Sequence, residues 1–442
     1  MATTLKYSEV EAWLEAQPEN TASTPYEIII TGIVRNQFSL NFSGRYVAIA
    51  GLEMQSGETE LGPIFFGCRT LVGSVTIPEG VTLIGQRAFS GCYGLTNINI
   101  PNSVTTIGGD AFWDCPGLTS INIPDSVKTI GMGAFKNSVN LASAAIPDGA
   151  TYVHYDAFKG CTSLQYIDTY YLPTKSGKTF LCKKIPKDAT SLNVRGDCVG
   201  ISAEAARNCT SLTSVSIPNG VKTIGESAFK GCTALTNVTI PGSVTFMGKN
   251  IFQGCTGLTN ATLNTGVTYI SDYAFDGCTN LVVVNLNNGT LTAIGECAFR
   301  DCVSMYIFAI PEGITTVSNN TFYGCINLAQ IVIPSSVTFI DFSAFYGCTS
   351  LTSVAIPGNV KRINGHAFHN CTSLTSVYMY PAFSETLIPQ NENNFSGTPS
   401  TLNLYVPARN LSGWKSAPLT SYGFASGVVA KMMPSRKWIR IA

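Results

Sequence analysis

Charge is what this 442-residue chain has least of. Lys plus Arg and Asp plus Glu number 27 each, together 12% of the residues, and the formal net charge is zero. So sparse and balanced a charge leaves no basic field to draw in nucleic acid or an anionic membrane surface. Histidine is scarcer still, at 3, which leaves little material for a His-based nucleophilic site. The carboxylates fall singly on turns, without an evident acid/base pair. No apolar run approaches the roughly 20 residues of a membrane span. The start, Met1-Ala2-Thr3-Thr4-Leu5-Lys6, lacks an apolar h-region. No signal peptide is therefore visible, and two readings stay open: a cytosolic protein, or a mature secreted chain with a new start Met. These absences point away from an enzyme, a cofactor carrier, a nucleic-acid binder and a membrane-inserted protein.

What the chain has instead is a pattern that returns every 23 residues, Cys-x-x-Leu-x-x-Val-x-Ile-Pro-x-x-Val-x-x-Ile-Gly-x-x-Ala-Phe-x-x. The Pro recurs at Pro78, Pro101, Pro124 and Pro147, at Pro218 and Pro241, and at Pro311, Pro334 and Pro357. The Phe recurs from Phe89 through Phe112, Phe135 and Phe158, then from Phe229 to Phe368. A fixed period of this length is one supersecondary unit stacked on copies of itself. In the turn 92–114, Leu95, Ile98 and Ile100 read as a short strand that Pro101 ends, since proline cannot donate to a ladder. Val104 and Ile107 form a second apolar pair, Gly108 permits the next bend, and Ala111-Phe112 reads as one helical turn. The apolar surface that one such turn can bury is worth less than the entropy of ordering its backbone, so stacking is compulsory. The expected fold is a repeat solenoid, mostly β, with short parallel strands and one helical turn per repeat.

Cysteine is not scarce, at 15. Twelve occupy one repeat position, from Cys68, Cys92 and Cys115 to Cys348 and Cys371, and Ser138 stands there in one turn. Neighbours in this column would lie about 4.8 Å apart with parallel side chains, a direction that disulfides do not favour. A column of buried thiols is the expectation, with disulfides or metal the alternative.

The pattern Leu-x-x-Val-x-Ile-Pro-x-x-Val-x-x-Ile-Gly-x-x-Ala-Phe-x-x-Cys resembles the repeat of the BspA-like, Treponema pallidum-type, leucine-rich-repeat family over about 65–385. It departs from ordinary leucine-rich repeats, whose ladder Asn is replaced here by Ser103, Ser126, Gly220 or Ser243. The resemblance implies a leucine-rich-repeat solenoid, surface-exposed or secreted, of a host-associated microbe. It also implies adhesion to host matrix proteins such as fibronectin or fibrinogen.

Residues 1–58 do not repeat and are expected to cap the solenoid, with a helix after Ser8 and strands near 26–31 and 46–50. The solenoid should run over 59–385 and a C-terminal cap over 386–442. Leu404-Tyr405-Val406-Pro407 there resembles the family's closing unit, and the mildly basic stretch 431–440 reads as a solvated last strand. Between Pro147 and Pro218 the period stretches. Ile167 holds the strand register, and apolar runs flanking Thr174-Lys175-Ser176-Gly177-Lys178 read as a hairpin inserted near 168–190.

Several motifs compete with plainer readings. Gly177-Lys178-Thr179 would end a phosphate-binding loop, but position 172 is Leu where that loop needs Gly. His366, His369 and Cys371 have a metal-like spacing. Cys371 belongs to the buried column while the histidines take outward places, so convergence on one ion is not expected. Arg195-Gly196-Asp197 is an integrin-type tripeptide on a rim beside the inserted hairpin; a chance occurrence is the plainer account. On the strands, the two outward positions are small and polar in early turns and apolar later. Val283, Tyr306, Ile307, Ala309, Val332, Ala355, Tyr378 and Tyr380 are expected to form one apolar stripe for a partner. The alternatives are that 386–442 folds back over it, or that β-favouring residues simply sit in strands. The leading function is non-catalytic binding or adhesion at a cell surface or outside the cell, to proteins or glycans through the solenoid face, without cofactor or metal. An intracellular protein-interaction scaffold is the other reading.

Overall fold

A computed structural model describes residues 2–37, 39–166, 170–287, 289–384, 386–389, 392–426 and 428–433. Ile167, expected to hold the strand register, lies outside them, as does most of the basic C-terminal stretch. The chain divides into two compact units: Met1–Ile185 with Arg195–Ala205 and Thr223–Gly225, and Pro186–Val194 with Ala206–Lys222 and Glu226–Ala442.

In the first unit the period of 23 becomes the register of a parallel sheet. Glu60–Leu61, Leu83–Ile84, Thr106–Ile107, Thr129–Ile130 and Tyr152–Val153 pair in that order, Leu83 opposite Thr106, Thr106 opposite Thr129 and Thr129 opposite Tyr152. The Leu-x-x-Val-x-Ile segments form a second set of parallel strands: Val72–Thr76 pairs with Gly94–Asn99, and Ser120–Ile121 with Ser143–Ala144. The second unit repeats both sets, for example Asn237–Ile240, Asn260–Asn264 and Val283–Asn287 on one side and Thr316–Val317, Phe339–Ile340 and Arg362–Ile363 on the other.

The single helical turn expected in each repeat is realised as consecutive tight turns. Ser90 N–H bonds Arg87 O at 3.2 Å and Cys92 N–H bonds Phe89 O at 3.2 Å, with Arg87 and Gly91 both left-handed. Two left-handed residues per repeat break any helical run, and Asp110 and Asp114 do the same one turn on. The glycine that follows the Ile has a different role from the bend expected of it. A Cβ on Gly108 would lie 2.9 Å from backbone atoms of residues 84–86, so glycine is needed there for the close approach of successive turns.

Two columns close the core. Phe65, Phe89, Phe112, Phe135 and Phe158 stack ring on ring at 5.1–5.3 Å in the first unit. In the second, rings from Phe229 to Phe395 stack in the same way, and Ala206 stands in the phenylalanine place before them. Beside them run the cysteines, all 15 free and buried. Most column thiols reach back to the Phe carbonyl of the preceding turn, as Cys115 Sγ does to Phe89 O at 3.0 Å and Cys255 Sγ to Phe229 O at 3.1 Å; Cys232 Sγ meets Ala206 O and Cys68 Sγ meets Leu40 O in the same manner. Ser138 makes the same bond to Phe112 O at 2.9 Å. The slot therefore accepts a small donor, thiol or hydroxyl. Burial pushes the thiols up to about 12 at Cys115 and Cys371, so they stay protonated and able to donate. The serines in the former asparagine place make a second ladder, Ser126 Oγ to Val104 O at 2.6 Å and Ser243 Oγ to Val221 O at 2.7 Å.

At the N-terminal end, Thr3–Lys6, Tyr26–Ile33 and Val47–Met54 form a parallel sheet, and Val47 bridges to Leu71 of the first repeat. The helix spans Val10–Glu15 and has no side-chain cap. Glu9 Oε2 instead accepts Lys6 N–H at 3.0 Å, which leaves Ser8 out of the capping role. In the stretched period, Tyr171–Pro173 and Thr179–Leu181 pair antiparallel around the turn 174–178, and Thr179–Leu181 then joins Cys198–Ile201 in parallel. The ladder resumes past this excursion, with Ala203 N–H on Val153 O at 2.8 Å.

Candidate functional site

Alternation along a strand sends every second side chain to solvent. In the second unit this places two outward columns on the Leu-x-x-Val-x-Ile strands. Ile307 stands opposite Gln330, Ala309 opposite Val332, and Ala355 opposite Tyr378. The apolar residues thus occupy both columns rather than one. Ala309, Val332, Ala355 and Tyr378 share one, each at the equivalent position of its repeat. Val283 and Ile307 belong to the other, which returns to polar residues at Gln330, Ser353 and Ser376. Ile307 is 46% exposed and Tyr306, just before its strand, 57%. Val283, Ala309, Ala355 and Tyr380 are exposed, and Val332 and Tyr378 are half-buried.

The column continues one strand further than the sequence reading had it. Asn403–Val406 pairs in parallel with Ser376–Met379, and Tyr405 lies opposite Tyr378 with their rings stacked at 5.0 Å. Ala430–Met432 then adds to the far side of Asn403–Val406, placing Lys431 opposite Tyr405. Among the described residues, the C-terminal segment extends the sheet edge to edge through these two strands rather than folding back over the stripe. Its Trp414 is buried, with Nε1 donating to Pro381 O at 3.1 Å, and Asn410 Nδ2 donates to Tyr380 O at 2.9 Å. Tyr405 was missed because it follows Tyr378 by 27 residues rather than 23. The signal that could have found it is Leu404-Tyr405-Val406-Pro407, a shortened copy of the repeat's own strand.

From Ser191 to Tyr405, no outward position of the second unit's described Leu-x-x-Val-x-Ile strands carries Asp, Glu, Lys or Arg. The polar residues there serve one another: Asn260 Nδ2 donates to Asn237 Oδ1 at 3.0 Å. These strands therefore offer shape, apolar surface and neutral hydrogen-bonding groups rather than a charge field.

Arg195, Gly196 and Asp197 lie in the first unit. The Arg195 guanidinium and the Asp197 carboxylate are joined to each other, Nε to Oδ1 at 2.9 Å and Nη2 to Oδ2 at 3.2 Å. Thr179 Oγ1 also donates to Asp197 Oδ1 at 3.1 Å, and the guanidinium lies over the Tyr171 ring. Hydrogen bonding from Arg195 holds the Asp197 carboxyl below its ordinary value. An integrin-type ligand offers its two charges to separate receptor groups, so that role requires this pair to open.

Cys371 turns into the core and donates to Phe345 O at 3.2 Å, away from the histidines. The two histidines stand beside each other, with His366 Nδ1 and His369 Nδ1 3.4 Å apart. Among the described residues no group of three or more His, Cys, Asp or Glu gathers as a metal site, and no helix is long and apolar enough to cross a membrane.

The BspA type leucine-rich-repeat region, as a family model, matches residues 59–180, 199–307 and 292–412, in six copies. The chain belongs to the BspA-type leucine-rich-repeat family. Among solved structures, it is similar to a leucine-rich repeat protein from Bacteroides ovatus, at 28% identity over 85% of this chain and 88% of that one, with a TM-score of 0.41. A leucine-rich cell surface protein from Faecalibacterium prausnitzii matches at 24% identity over 80% of this chain and 91% of that one, with a TM-score of 0.34. The leucine-rich repeat protein of Treponema pallidum matches at 24% identity over 52% and 77%, with a TM-score of 0.25. None of the curated protein sequences matches the chain. BspA-type repeats, like other solenoids, present extended surfaces suited to binding other proteins.

Proposed function

We propose that this chain is a non-catalytic binding protein, displayed at a cell surface or secreted, that engages host or matrix proteins or glycans through the strand face of its second unit. The observation that carries the reading is the uncharged outward column Ala309, Val332, Ala355, Tyr378 and Tyr405. Ile307, with Tyr306 beside it, widens that column at one end. Contiguous exposed apolar surface of this kind marks interaction sites, and its tyrosines supply apolar area with a polar tip, as interface anchors do. Residues 1–58 serve as a cap on the first unit's sheet and 386–442 as a cap on the second's.

Fibronectin and fibrinogen are the partners to test first. Each is immobilised and the full chain passed over it, wild type beside the double variant Ile307→Lys, Val332→Lys. Because both positions face solvent, the variant should keep the wild-type melting curve and lose at least tenfold in affinity. Because charge enters the column at Lys431 alone, beyond Tyr405, wild-type binding should change less than twofold between 50 and about 300 mM salt, where a charge-steered interface would weaken severalfold. Equal binding by the double variant would remove the stripe as the site. Absence of wild-type binding to both proteins would remove them as partners.

A further inference from the structure

His366 and His369 form a pair that the strand-face reading does not use. Two of the chain's 3 histidines stand on one outer turn, with Nδ1 atoms 3.4 Å apart and rings nearly perpendicular at 71°. The spacing is held by backbone, since His369 N–H bonds His366 O at 3.1 Å and so closes the turn. His366 adopts the left-handed conformation, φ 59°, and its own N–H is anchored on Glu392 O at 2.8 Å. The His369 ring lies flat on Tyr346 at 4.9 Å, and Tyr346 in turn on Tyr323 at 4.7 Å. His366 is exposed and His369 half-buried. The pair is therefore both fixed and open to solvent.

We propose that His366 and His369 chelate one divalent late transition ion, Zn²⁺ or a chemical relative such as Co²⁺, Ni²⁺ or Cu²⁺, on the outer turn of the second unit. Two imidazole nitrogens bound to one tetrahedral zinc at about 2.0–2.1 Å lie roughly 3.3 Å from each other. The observed separation of 3.4 Å is close to that bite. Imidazole is the ligand type these ions favour. Without metal, one Nδ1–H donates to the other Nδ1. With metal, both rings take the Nε2–H tautomer, the displaced proton returning through solvent to Nε2 of the same ring, so no net proton is released. No third His, Cys, Asp or Glu joins the pair among the described residues, and water completes the coordination shell. The open positions leave the ion free to accept a further donor from another molecule.

The test uses the full chain without a polyhistidine tag, reduced and freed of metal. ZnCl₂ is titrated against a chromophoric competitor, and CoCl₂ is used for its visible spectrum. The expected result is one equivalent bound, a weak cobalt d–d spectrum without a thiolate charge-transfer band, and at least a tenfold loss of affinity in His366→Ala and in His369→Ala. Both variants should stay folded, because neither side chain is in the core, with His369→Ala melting slightly lower for the loss of its stack on Tyr346. Wild-type affinity retained by both variants, a thiolate band, or no stoichiometric binding would each overturn the proposal.

Discussion

Phe275→Ala tests the stacking model at its centre. Phe275 is 2% exposed and lies between Phe252 at 5.5 Å and Phe299 at 5.6 Å, all three rings near parallel. Its removal forfeits the transfer energy of a phenyl group, about 2–3 kcal/mol. It also leaves a cavity between two rings that cannot close over it. The adjoining turns are pinned by Phe252 N–H on Ala274 O at 2.9 Å and Phe275 N–H on Ala298 O at 2.8 Å. A site that cannot collapse falls in the upper part of the usual range, about 4–5 kcal/mol. Because a solenoid turn contacts its neighbours alone, the loss should show first as local opening. Limited proteolysis should cut near 275 at denaturant concentrations where the wild type resists, and the melting transition should broaden or split. An unchanged digestion pattern and melting curve would refute the argument that stacked rings bear the load between turns.

Cys255→Ser should be tolerated and Cys255→Ala should cost about 0.5–1.5 kcal/mol in denaturant melts, because Phe229 O keeps its bond from Cys232 N–H and loses the thiol's. The thiols as a group should resist alkylation in the native protein and react on unfolding, since burial holds Cys115 and Cys161 up to about 12; a thiol assay with and without denaturant checks this. The Asp197 carboxyl, lowered by Arg195, stabilises the fold above the ordinary carboxylate value, and that contribution disappears as pH falls through the lowered one. Asp197→Asn should therefore narrow the stability difference between neutral and strongly acid pH, read from melting temperatures at both. With Arg195 and Asp197 held on each other, wild-type protein should not support attachment of integrin-bearing cells; attachment that Asp197→Glu abolishes would show that the pair opens for a receptor.

The sequence by itself determined the architecture. A period of 23 residues with Pro, Gly, Phe and Cys in fixed places admits one solution, because a turn too small to fold alone can only stack in register. Leu83, Thr106, Thr129 and Tyr152 line up as that period requires. The alternation that sends Ile307 and Ala309 outward was legible for the same reason. What depends on non-local geometry was not. The donor role of Cys255 needs the position of a carbonyl 26 residues away, which composition does not reveal. The closing of Arg195 on Asp197 depends on the inserted hairpin that brings Thr179 and Tyr171 beside them. Tyr405 joins the stripe by strand pairing after an irregular spacing, so periodicity could not place it. His366 and His369 looked like two independent outward residues, and it was the left-handed turn at His366 that aimed them at each other. The repeat sets the stack through local, recurring contacts, whereas the candidate sites depend on where the repeat is interrupted, shortened or bent, and there only the folded chain decides which side chains meet.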